Sequence, residues 1–245
     1  MKESGRLLRS VSVALFAVAA VSILYYTRIF LFSGTVGART LLRTLFWCAV
    51  LIGTPLFVAM LLYAGASGDA DKNRRMVYLT LIVLFIFYLL ALAGMLFISR
   101  IRFGTFAQDR AAYMENIEAM VNLTPLRTVR RYLGTLRRGV IYATSLANLA
   151  GNVLLFMPMA FFLPCLFPGM RSFWRFPLFM LALLVAVEAL QLLLGCGTCD
   201  VDDVLLNLTG TLLMFCIVML PPVRRLLARL YLFREAPQTV PPAES

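Results

Sequence analysis

The chain has 245 residues, of which 61% are hydrophobic and 14% charged, with no histidine and a formal net charge of +11. A soluble domain carries about a quarter charged residues, so this composition excludes a water-soluble globular protein and makes the bilayer the solvent. Lys and Arg fall in the gaps between apolar runs, as membrane-flanking charge does, which removes nucleic acid from the set of partners despite the basic balance.

Crossing the hydrocarbon core takes roughly 20 apolar residues at about 1.5 Å each. Six runs approach that length, at residues 11–26, 44–64, 76–99, 141–162, 173–194 and 204–220. They predict an all-α fold, a polytopic transmembrane helical bundle of about six helices. The first run follows Lys2, Arg6 and Arg9 and extends too far for a cleaved signal segment, so it reads as a retained helix. The second contains Gly53 and Pro55, breakers that membrane helices tolerate where neighbours cover the freed backbone groups. The chain thus divides into two N-terminal transmembrane helices (1–75), a transmembrane domain (76–220), and a C-terminal tail (221–245). The tail is basic at first and, beyond Arg234, rich enough in Pro, Gln, Thr and Glu to predict disorder.

One long connection, 100–140, interrupts the runs. Within it Tyr113, Ile117 and Met120 recur at helical spacing while Asp109, Glu115 and Glu118 mostly fall elsewhere, predicting an interfacial helix near 109–121. Asn122, Leu123, Thr124 and Pro125 follow, and then a basic stretch at Arg127, Arg130, Arg131, Arg137 and Arg138. Six spans put both termini on one side. That face carries twelve Lys and Arg and the opposite face eleven, but eight of the eleven lie in the long connection, which weighs less in orientation. Both termini are therefore expected in the cytoplasm of a cell-membrane protein.

Helix alternation brings the beginning of the fourth run, the end of the fifth and the beginning of the sixth to one depth. These places hold Asn148 and Asn152, Glu188 and Gln191, and Asp200, Asp202, Asp203 and Asn207. The pairs Asn148/Asn152, Glu188/Gln191 and Asp203/Asn207 each have the three- or four-residue spacing that shares a helical face. Gly210 continues the last stripe, a small residue that lets another backbone approach. An ionisable group within a span costs several kcal/mol unless paired, hydrated or protonated, which singles out Glu188 as an acid or base, or as a bond joining helices.

The acidic turn admits several chemistries. Asp200, Asp202 and Asp203 could supply oxygen ligands to a divalent metal, with Glu188 and an Asn carbonyl completing the shell. They could instead pair with the arginines, or Asp203 could cap its helix. Arg127, Arg130 and Arg131 form a candidate anion site for membrane lipids or a lipid-linked phosphate. No cofactor is identified. Cys196 and Cys199 have the C-x-x-C spacing of redox and zinc sites, without a second pair or a histidine, and could form a disulfide if their face is extracytoplasmic.

Taken in order, several of these pieces resemble the VanZ-like family of bacterial membrane proteins across about 76–220. They are Asn122-Leu123-Thr124-Pro125; Asn148 with Asn152, Phe156 and Pro158; Glu188 with Gln191; and Asp200, Asp202 and Asp203 with Asn207 and Gly210. The chain departs from the pattern at Leu126, where the family often has Phe, at Ala160 and Met214, where it often has Gly, and near Gly197, where many members have Arg. The resemblance implies a multi-pass protein at the bacterial cell envelope, in a family named for a member that confers resistance to the glycopeptide teicoplanin. On that reading the polar cluster lessens glycopeptide action on cell-wall precursors. Two other readings stand beside it. One is a membrane enzyme using Glu188 and Asp203 with metal-bound aspartates on a lipid-linked phosphate; the other is a small transporter or structural assembly partner.

Overall fold

The computed structural model describes residues 10–15, 17, 21, 55, 57–60, 62, 69–98, 113–130, 134 and 143–233. Four helices among them are long and apolar enough to cross a membrane: Ala70–Phe97, Leu149–Leu166, Arg175–Leu194 and Val201–Met219. These are the last four expected runs. The runs at 11–26 and 44–64 lie largely outside the described residues, although the positions described within them are helical.

The first of these spans begins ahead of residue 76 because Asp69 caps it. The Asp69 carboxylate accepts the Asp71 and Lys72 N–H groups at 3.1 and 3.2 Å, starting α1 (Ala70–Ala93) in its polar section. The Lys72 N–H is the main reason that the Asp69 carboxyl titrates below its ordinary value. At its other end α1 loosens into a π-helical turn, Gly94–Ile98, which disturbs the regular bonding of its carbonyls.

The next span is two helices where one was expected from 141 to 162. α2 (Ala143–Leu155) stops before Pro158 and α3 (Met159–Leu166) starts after it. Pro158 has no N–H to give to the ladder and its φ of −60° suits a helix start, so the chain restarts and the span reaches Leu166. Tyr88 of α1 donates its hydroxyl to the Leu155 carbonyl at 2.8 Å, satisfying backbone beside the break.

α4 (Arg175–Leu194) ends at Gly195, whose φ of 64° is the left-handed closing residue that glycine adopts without a Cβ clash. α5 (Val201–Met219) returns across the bundle and is followed by α6 (Pro221–Arg229). Leu227 of α6 is buried, as are Leu232 and Phe233 beyond it. The basic beginning of the tail is therefore folded onto the core, with the Arg171 guanidinium 4.2 Å over the Phe233 ring. Residues 234–245, expected to be disordered, lie outside the described residues.

Aromatic stacking fixes α4 against α5, where the Phe176 and Phe215 rings lie 4.2 Å apart and nearly parallel. Leu178, Leu193 and Leu213 on the same helices point outward and are more than half exposed, as side chains solvated by lipid must be. Against α2, α5 packs through Gly210: a Cβ built there would lie 1.9 Å from the Val153 carbonyl oxygen. Backbone, unlike a flexible side chain, cannot yield. Gly210→Ala is therefore expected to lower unfolding stability in detergent by about 1–3 kcal/mol. Gly151→Ala, at a helical position with nothing within 4 Å of the new Cβ, is expected to raise it by roughly 0.5–1 kcal/mol. Parallel denaturation of the two variants measures the difference.

Candidate functional site

The site forms where the long connection meets the turn between α4 and α5. The interfacial helix expected near 109–121 ends earlier than that. Tyr113–Glu115 is helical, Ile117–Met120 is a 3-10 turn, and the chain then extends as β1 (Val121–Asn122); residues 109–112 lie outside the described residues. The physical reason is a partner strand. β1 pairs in parallel with β2 (Cys199–Asp200), Val121 opposite Cys199 and Asn122 opposite Asp200. Tyr113 adds a hydroxyl bond to the Gly197 carbonyl at 2.6 Å. Burial, then the neighbouring Cys196 and Cys199 sulfurs, raise the Tyr113 phenol above its ordinary pKa.

Asp200, not Asp203, caps α5. Its Oδ1 accepts the Asp202 N–H at 2.9 Å and the Asn122 side-chain amide at 2.9 Å, and its Oδ2 accepts the Thr128 hydroxyl at 2.7 Å. One carboxylate thereby starts a helix and holds the long connection.

Asp202 holds the same segment by its backbone. The side chain is fully buried, and its two oxygens accept N–H groups from Leu126, Thr128 and Val129, the last two at 2.7 and 3.3 Å. These donors open the helical turn at 127–130 and lack partners within it. The segment enters that turn through Thr124, whose N–H donates to the Asn122 side-chain Oδ1 at 3.3 Å ahead of Pro125, and through Leu126, held at a φ of 62°. A buried anion at a helix start is stabilised by aligned N–H dipoles as well as by the bonds themselves.

The remaining cluster residues divide. Glu188 is buried and its Oε2 accepts the Asp200 N–H at 3.3 Å. Asp203 Oδ1 accepts the Asn152 side-chain amide, joining α5 to α2, and Asn207 donates to the Asp203 carbonyl at 2.7 Å. Gln191, although three residues from Glu188, leaves the cluster and donates to the Leu96 carbonyl of the π turn at 3.1 Å. Asn148 lies on α2, and its side chain falls outside the described residues.

Arg127 and Arg130 are exposed rather than paired with the acids. An ion pair joins Lys72 to Asp69 at 3.6 Å; Arg131, Arg137 and Arg138 lie outside the described residues. Nor do the aspartates converge as metal ligands: Asp200 and Asp202 direct their oxygens at N–H and O–H donors, and no three acidic or thiol groups among the described residues gather as for an ion. Cys196 and Cys199 are free thiols, not a disulfide, with Cys196 bonded to the Gln191 carbonyl at 3.7 Å. Burial and the nearby Glu188 and Asp200 carboxylates raise the pKa of Cys199.

Sequence reasoning missed Thr128 and the amides of 126, 128 and 129. The available signal was the Asn122-to-Pro125 turn, which announces a chain reversal and a helix start shortly after it. The profile of the VanZ/LLP1 family matches residues 85–223, a stretch that contains the whole cluster. No curated protein and no solved structure matches.

Two outcomes follow from the geometry. Asp202→Ala leaves three amides without their acceptor and is expected to cost about 2–4 kcal/mol in detergent unfolding, Asp202→Asn less because it keeps one acceptor oxygen. Cys199 is expected to alkylate slowly near neutral pH and to speed up only as pH rises toward its elevated pKa. Removing either neighbouring charge, as in Glu188→Gln or Asp200→Asn, should move that rise to lower pH, read by mass spectrometry of the Cys199 peptide.

Proposed function

The chain belongs to the VanZ/LLP1 family, and from that premise we propose that it acts at the bacterial cell envelope, lowering susceptibility to glycopeptide antibiotics such as teicoplanin. The observation that carries this reading is the exposure of Arg127 and Arg130 beside acids already committed to amide and hydroxyl donors. The acids hold the segment and leave the guanidinium groups for something else. Guanidinium forks match phosphate oxygens, and at a membrane face the phosphate of a lipid-linked cell-wall precursor is the ligand they suit.

In this reading the chain crosses the membrane six times with both termini in the cytoplasm, and β1 and β2 lie on the outer face, where a glycopeptide meets cell-wall precursors. Glu188, Asp200, Asp202 and Asp203 are positioning residues. Asp200 and Asp202 fix the basic segment to the start of α5, Glu188 ties that start to α4, and Asp203 ties α5 to α2.

Expression in a teicoplanin-susceptible bacterium provides the test. Wild-type protein should raise the inhibitory concentration, and Arg127→Gln with Arg130→Gln should return most of the increase at matched membrane levels. Asp202→Asn should do the same in proportion to its loss of clamp. No change in susceptibility on expressing the wild type would refute the proposal.

A further inference from the structure

At the opposite end of the bundle, the start of α1, the end of α3 and the chain beyond α6 surround a cavity of about 400 Å³. That volume lies within the range of small-molecule sites. Arg74 and Arg75 line it, both exposed, and neither meets a carboxylate at ion-pair distance among the described residues. Asp71, one turn earlier, lines the same cavity, so the lining has more positive than negative charge. Leu81 and Leu232, each 3% exposed, supply apolar wall.

Tyr231 is the second observation. It follows Leu230, the C-cap of α6, and has a φ of 60°, a position and conformation that favour glycine. An aromatic side chain held there costs about 1–3 kcal/mol of backbone strain, yet here it lines the cavity. Tyr78, four residues after Arg74 on the same helical face, adds a second phenol. Two guanidinium forks, two phenol donors and apolar wall at the end of a membrane span suit a phosphate attached to something greasy.

We propose that this cavity binds a phosphate group, supplied by the headgroup of an anionic phospholipid. Arg74 and Arg75 hold the phosphate oxygens, the tyrosines donate to what remains of the headgroup, and the acyl-proximal part lies against Leu81 and Leu232. This site is separate from the Arg127 segment and does not depend on the function proposed for it.

Thermal unfolding of the full-length protein in a neutral detergent tests the site, with dihexanoyl phosphatidylglycerol or inorganic phosphate added. The lipid should raise the melting temperature saturably. In the Arg74→Gln/Arg75→Gln variant the apparent affinity should fall about tenfold or more, two charge-assisted contacts having been lost. Both arginines are exposed, so the change leaves the fold intact. The double Lys variant, which keeps the charge and drops the fork, should fall between. Asp71→Asn should bind at least as tightly as wild type, and Asp202→Asn, at the other end, should retain the response. Saturation by inorganic phosphate alone with the same arginine dependence would support the site and identify free phosphate as its ligand. A wild type unmoved by either compound, or a response identical in the glutamine variant, would overturn the proposal.

Discussion

A fully buried carboxylate must find hydrogen-bond donors or give up its charge. Asp202 finds them in the backbone of a segment more than seventy residues earlier, at Leu126, Thr128 and Val129. The rest of the polar end follows from that bond. It places β1 beside β2, brings the Thr128 hydroxyl to Asp200, and leaves Arg127 and Arg130 facing outward. Asp200 couples the arrangement to the start of α5, and through its own N–H to Glu188 on α4.

The same logic explains why intramembrane polar groups here join helices at their ends. Asn152 to Asp203 and Gln191 to Leu96 each link two spans. Deeper in the bundle, contact is made by shape: Gly210 lies against the Val153 backbone, and Phe176 stacks on Phe215. Between lipid-facing helices apolar burial gives little net attraction, so close backbone approach and a few satisfied bonds carry the association.

Hydropathy made the spans legible because the bilayer demands long apolar helices with internal backbone bonding. Alternation made the depth of Asn152, Glu188, Asp200 and Asp203 legible for the same reason. The partners were not, since Asp202 bonds to backbone N–H groups, which every residue but proline carries and no residue letter advertises. Gln191 was misplaced because its acceptor is a carbonyl of the Gly94–Ile98 π turn, and nothing in an apolar composition distinguishes that turn from an α-helix. Pro158 was visible, but the group that satisfies the Leu155 carbonyl beside the break, the Tyr88 hydroxyl, lies 67 residues away along the chain.

The central claim is that the buried Asp202 carboxylate grips residues 126–129 by the amides of Leu126, Thr128 and Val129, rather than through ion pairs to Arg127 or Arg130. Hydrogen–deuterium exchange over residues 121–130 of the wild-type protein at low salt and at about 1 M salt separates the two, because salt screens exposed charge pairs far more than buried bonds. The amides of Leu126, Thr128 and Val129 should remain protected at both salt concentrations. Protection that vanishes at high salt would contradict the account.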